Sequence, residues 1–224
     1  MEDFLLTCPE DLMKAVERFG FLPFFQNAIP GFSVAEHVPR ELWFTDEPGP
    51  WEWKGPVIRE LGCAYGKFFE KKAAWVSKEW FADLANFRRD GYDFDARYED
   101  GLAPYQDRQL YECIQEHEPV ISTRLKQIAG FQKGGKKGFD TILNRLMGEC
   151  YVLTSDFVYQ LDRHGAPYGW GIAQYATPEM FFGASFLETV YVKSPEESRQ
   201  RLVAHLQDLF PETEEAVLAR FLRI

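Results

Sequence analysis

Between Asp107 and Tyr175 lie three short stretches of helical period and then two β-rich runs, and this order restricts the fold more than any other feature of the chain. Asp107 to His117 is amphipathic with Leu110 and Ile114 inward, and Pro119 ends it. Ser122 or Thr123 caps a second short helix carrying Leu125, Ile128 and Ala129, which Gly130 terminates. A third helix places Phe139, Ile142, Leu143 and Leu146 at i, i+3, i+4 and i+7 and closes at Gly148. Cys150–Thr154 then pairs with Trp170–Tyr175 across the polar tip Asp162–Pro167. Three short helices followed by a hairpin is the order of a winged helix-turn-helix, with the third helix as recognition helix and the hairpin as wing.

The flanking segments read as two further units. Residues 1–100 start with a helix whose first turn is Pro9-Glu10-Asp11 and whose inner face is Leu12, Val16 and Phe19, before Gly20. Glu47 to Pro56 is rich in Pro and Gly and is expected to be a loop. Tyr65–Val76 reads as one or two strands. Ser77 caps a helix through Arg89 with Trp80, Phe81, Leu84 and Phe87 inward. After residues 101–184, the winged-helix unit, residues 185–224 form a helical segment. It holds two short helices split at Pro211, with Leu202, Leu206 and Leu209, then Val217, Leu218 and Phe221, packing back. The expected architecture is α+β: tandem winged-helix-like subdomains with a C-terminal helical segment.

At 224 residues the chain can bury a substantial core, and 46% apolar residues exclude a disordered or collagen-like chain. No apolar run approaches the ~18 residues that would span a bilayer. Met1 to Leu6 carries no cationic leader, so the expected compartment is the cytoplasm. Cys8, Cys63, Cys113 and Cys150 lie far apart with no C-x-x-C pair, and the four histidines are equally scattered. Buried reduced thiols follow, with no metal site and no cofactor.

The net charge of −10 excludes a surface coated in nucleic acid, but it is unevenly distributed. From Arg124 to Arg145 six basic residues (Arg124, Lys126, Lys133, Lys136, Lys137, Arg145) face one acid, Asp140, giving +5. From Gly66 to Arg89 the balance is +3, and from Met1 to Glu60 it is −6. Positive charge thus gathers where a nucleic-acid reader needs it, since Lys and Arg neutralising phosphates supply most non-specific affinity. The Gly-rich turn before the third helix adds backbone N–H groups, a favourable anion position. Thr141, Asn144 and Arg145, opposite the apolar stripe, are able to reach base edges or phosphates.

These segments, together with Gly66–Ser77 and the following helix ending Phe87-Arg88-Arg89, resemble the YcaQ/AlkZ family, and the chain is similar to its divergent AlkZ-related branch. The resemblance covers most of the chain. It implies tandem winged helices, duplex DNA as partner, and kinship with DNA glycosylases that excise bulky alkylated bases. Those glycosylases share a Gln-x-Gln or Gln-x-Asp motif near the N-terminus that positions the attacking water. Here Phe24-Phe25-Gln26-Asn27-Ala28 offers Gln26 with no second Gln or Asp two residues on, so the catalytic motif is incomplete. A binding fold survives the loss of its chemistry.

One other stretch gathers chemical groups. Trp51-Glu52-Trp53-Lys54 forces two indoles, a carboxylate and an amine together. A base held out of the stack could lie on Trp51 and Trp53 beside Lys54, with Glu52 orienting water; alternatively the indoles staple subdomains together. Asp93 and Asp95 either chelate a hard cation or sit in a polar connector. Gln26 and Glu52 are therefore the catalytic candidates. A non-catalytic protein-interaction module, or a transcription regulator, is the alternative to DNA repair, so a protein partner stays open.

Overall fold

The structure is a computed structural model and describes residues 4–45 and 47–223. The N-terminal reading at Met1 to Asp3, Asp46 in the charge count, and Ile224 lie outside the described residues. The chain folds as α+β around one antiparallel six-stranded sheet. In order the elements are α1 (Pro9–Phe19), β1 (Phe21–Pro23), α2 (Val34–His37), α3 (Lys54–Leu61), β2 (Ala64–Phe69), β3 (Lys72–Val76), α4 (Lys78–Arg89), α5 (Phe94–Glu99) and α6 (Tyr105–His117). Then follow β4 (Val120–Ile121), α7 (Ser122–Ile128), α8 (Phe139–Gly148), β5 (Leu153–Leu161), β6 (Pro167–Ala176), α9 (Pro178–Phe182), α10 (Ser185–Val190), α11 (Pro195–Leu209) and α12 (Glu215–Leu222).

The strands run β1-β3-β2-β5-β6-β4 across the sheet. One register pair, Tyr65 opposite Thr154, joins its two halves. Two apolar cores flank that seam. The first gathers α1, β1–β3, α3 and α4, and the C-terminal helices add Phe186, Leu202, Leu206, Leu218 and Phe221 to it. The second gathers α6, α7, α8 and the base of the β5–β6 hairpin around Leu110, Ile114, Leu125, Ile142 and Leu146. The α8 stripe is inward as its spacing predicts: Phe139, Ile142, Leu143 and Leu146 are all buried.

Several local expectations need correction. The loop expected through Pro56 is already helical at Lys54. The first four N–H groups of a helix lack intrahelical partners, so Pro56 forfeits nothing there. Ser122 begins α7 rather than capping it, and Ile121 is the flanking residue. Ser77 occupies the cap position of α4 without a side-chain cap bond. Along α4, Phe81 and Leu84 are buried while Trp80 and Phe87 are half-buried; Arg88 and Arg89 are the buried residues of its last turn. Only Cys63 and Cys150 are buried thiols, both with pKa pushed up to about 12 by burial; Cys8 and Cys113 are partly exposed. Asp93 caps α5, its carboxylate accepting the Ala96 N–H at 2.8 Å. The carboxylate is thereby committed to the helix terminus.

Candidate nucleic-acid interface

Gly130 to Gly138 is an ordered turn. The Lys136 N–H donates to the Gly130 carbonyl at 2.7 Å and the Gly135 N–H to the Gln132 carbonyl at 2.8 Å. A Cβ at Gly135 would lie 2.3 Å from the Gly130 oxygen, so only glycine permits this closure. Gly138, at φ 91°, then delivers the chain into α8. The turn holds Lys133, Lys136 and Lys137 exposed. Lys136 reaches Gln109 Oε1 at 3.3 Å, whereas Lys133 and Lys137 meet no carboxylate among the described residues. Lys126 is half-buried over the Phe139 ring, 4.8 Å from its centroid, and 3.9 Å from Asp140. Exposed Arg124 donates to Gln127.

The far face of α8 carries exposed Thr141 and half-buried Asn144 and Arg145. Arg145 is engaged by the protein itself: Nε and Nη2 each donate to the Asp107 carboxylate at 2.5 Å, and the Asp107 side chain is only 1% exposed. This hydrogen bonding raises the guanidinium pKa against a smaller effect of burial. The pair fastens α8 to α6, so much of the Arg145 charge serves the fold.

Thr141, Asn144, Arg145 and Gly148 form one wall of a cavity of about 360 Å³, and the opposite wall is Lys67, Phe68 and Lys71 from β2 and its turn. Of the two basic segments, Lys67 and Lys71 of one and the paired Arg145 of the other line this cavity, whereas Arg124, Lys126, Lys133, Lys136 and Lys137 do not. The β2–β3 turn has both central residues at positive φ, Glu70 at 49° and Lys71 at 60°, as a two-residue hairpin of inverted turn type requires. Lys67 and Lys71 are exposed and pair with no carboxylate among the described residues. Behind the cavity, buried Arg88 donates to the carbonyl oxygens of Phe68 at 3.2 Å and Gly148 at 3.3 Å. Lys67 and Lys71 stand in the basic segment 66–89 without an assigned role, although a place on β2 and in its tight turn makes them project. Asp107 and Arg88 stand in the sequence only as the start of one helix and the end of another, and nothing there points to the roles they have here.

The remaining candidates lie elsewhere, and none lines this cavity. Gln26 is exposed, and its backbone carbonyl accepts from Lys72 Nζ at 2.9 Å. Glu52 Oε2 accepts the Gly49 N–H at 3.0 Å, which holds the turn before α3. Trp51 stacks on Phe24 with centroids 5.2 Å apart and meets Trp43 edge-on. Trp53 is buried and donates its indole N–H to the Pro48 carbonyl. Lys54 lies 4.4 Å from the Phe157 centroid and 5.6 Å from that of Trp51; burial lowers its pKa, opposed by Glu52. Trp51 thus spends a face on Phe24, and Trp53 is buried away from a flipped base.

At the tip of the β5–β6 hairpin, Arg163 and His164 are exposed and hydrogen-bond each other at 3.0 Å. Farther along the same hairpin Trp170 is 74% exposed. Among the described residues no helix is long and apolar enough to cross a membrane, and no group of three or more His, Cys, Asp or Glu could hold a metal ion. The sequence model of the family described as AlkZ related matches residues 6–223. No curated protein and no solved structure matches the chain.

Proposed function

The chain belongs to the AlkZ-related family, and from that premise we propose that it is a DNA-binding protein that holds a duplex against α8 and the β2–β3 turn. The order α6, β4, α7, α8, β5, β6 supports a winged helix in residues 101–184. In it α8 is the recognition helix and the β5–β6 hairpin the wing. Residues 1–100 form the second winged-helix-like unit of the tandem, and residues 185–224 brace it. Lys133, Lys136 and Lys137, with Arg124 and Lys126 beside them, neutralise phosphates, and Thr141 and Asn144 face the groove. Arg145 reaches the duplex only while held by Asp107.

One observation carries this reading: a single cavity lies between Lys67 and Lys71 on one side and Thr141, Asn144 and Arg145 on the other. Lys67 and Lys71 thus share this space with the polar face of α8, an arrangement that suits a polyanion. Kinship with glycosylases does not extend to a complete water-positioning pair. Gln26 stands alone, and Glu52 is occupied by the Gly49 amide. The function proposed is therefore recognition of duplex DNA, with base excision a separate question for assay on alkylated duplex.

The test is fluorescence anisotropy with a short duplex across a salt series. Lys136→Glu together with Lys137→Glu should weaken binding at low salt and lower the salt slope by about 2, roughly one per lost phosphate contact. Affinity and slope equal to the parent's would overturn the proposal. Base release that disappears in Gln26→Ala or Glu52→Ala would restore the enzymatic reading.

A further inference from the structure

Five charged residues of the described chain are buried, and four of them face an opposite charge. Asp83 has Lys193 at 3.3 Å and also Arg201, Arg89 has Glu179 at 2.8 Å, Asp107 has Arg145, and Glu149 has Arg97 at 3.1 Å. Arg88 is the exception. It is 5% exposed, its Nε has no hydrogen-bond partner among the described residues, its other nitrogens donate to the carbonyl oxygens of Phe68 and Gly148, and its guanidinium lies 5.9 Å from the Phe87 ring centroid. Gly148 ends α8, whose terminal dipole amounts to about half a negative charge, so part of the guanidinium charge is left unanswered. Burial lowers the Arg88 pKa to about 10, still well above neutrality. A buried cation without a counter-ion is costly to keep.

Both carbonyls that hold Arg88 belong to residues lining the cavity between β2 and α8. The lining also includes Lys67, Lys71, Thr141 and Asn144, with Arg145 already paired. Each of these side chains can donate to an anion, and no carboxylate among the described residues lines the space. We infer that this cavity is a phosphoryl-group site, in which Lys67, Lys71, Thr141 and Asn144 hold the oxygens and buried Arg88 supplies the standing positive charge behind them. Resting on the DNA-binding reading, the inference makes the occupant a phosphate of the nucleic acid, either an internal phosphodiester or the terminal phosphate at a break.

Titrating the full chain with inorganic phosphate at constant ionic strength, followed by backbone amide NMR, tests the site itself. Saturable shifts confined to residues 67–71 and 141–148 are expected. Lys67→Ala with Lys71→Ala, both exposed and safe for folding, should weaken the apparent affinity about tenfold or more. Arg88→Lys, which keeps the charge, should retain binding, and Arg88→Met should lose it; should the Arg88→Met variant fail to fold, the lysine pair decides. No saturation in the parent, or equal affinity in the lysine pair variant, overturns the inference.

Nicked duplexes bearing a 5′-phosphate or a 5′-hydroxyl separate the two sources. Tighter binding to the phosphorylated nick assigns the terminal group. Equal binding, weakened alike by the lysine pair variant, assigns the internal diester. Duplex binding that needs Lys136 and Lys137 in a protein that ignores phosphate sinks this site alone. Phosphate binding without duplex binding sinks the DNA reading alone.

Discussion

Arg88-Arg89 at the end of α4 and Lys136-Lys137 ahead of α8 are both adjacent cation pairs within segments of net positive charge. The first pair is buried and the second exposed. Helical phase accounts for this. Arg88 follows Phe81 by seven residues and Leu84 by four, and Arg89 follows Ala85 by four, so both arginines continue the buried face of α4. Lys136 and Lys137 lie on a glycine-closed turn that has no inner face to join. A segment's charge sum thus describes a surface only where the backbone lets the side chains leave it. Arg89 lies over the Tyr151 ring, 4.8 Å from its centroid, and donates to the Cys150 carbonyl, fastening the first core to the second.

Removing one member from each pair should separate them most widely. Arg89→Met strands Glu179 and the Cys150 carbonyl, and breaking a buried pair in this way costs about 3–5 kcal/mol. Glu179 keeps some water, so the low end applies. Lys137→Met touches no partner and should stay within about 0.5 kcal/mol of the parent. Urea unfolding of both variants measures the difference. Equal costs would mean that the guanidinium does not bridge the cores.

A smaller effect distinguishes Lys71 from Lys137, two exposed lysines on different backbones. Lys71 is held at φ 60°, where a β-branched residue is strained. Lys71→Val should therefore cost about 1–2 kcal/mol. Lys71→Gly should remain within about 0.5 kcal/mol of the parent, because relief of strain offsets the added freedom of the unfolded chain. Both should bind inorganic phosphate more weakly. The same substitutions at Lys137 should leave that binding as it is, and a thermal melt of each variant completes the comparison.

Elements whose apolar period runs without interruption were legible: α1, α6, α8 and the β2–β3 hairpin fall where Leu12-Val16-Phe19, Leu110-Ile114, Phe139-Ile142-Leu143-Leu146 and Tyr65–Val76 place them. The short helices α9 and α10 were not, because five or six residues hold too few apolar positions to show a period. For the site, the α8 residues could be read from the helix face opposite its stripe. Their joining to Lys67 and Lys71 could not, since it depends on the one-residue seam between β2 and β5. Nor could the commitment of Arg145 to Asp107, which lie 38 residues apart on different helices. Spacing within an element reveals a face, while the partner of that face is set by sheet order.

Glu149 gives the smallest and most discriminating test, because it asks whether a partner is enough to make a buried charge comfortable. It follows α8 at the edge of the second core and is 8% exposed, with Arg97 at 3.1 Å. Burial raises its pKa above 4.5, and Arg97 opposes this without prevailing. A carboxyl that holds its proton more tightly when folded lowers stability as pH climbs from 4.5 through its folded pKa, since there the native state binds more protons than the unfolded chain. Relative to Glu149→Gln, the parent should therefore lose stability over that interval and level off above it. Urea unfolding of the two proteins at a series of pH values gives the difference directly. A parent that instead gains on Glu149→Gln as pH rises would show Arg97 outweighing burial, which would leave Arg88 as the one buried charge that the fold does not settle internally.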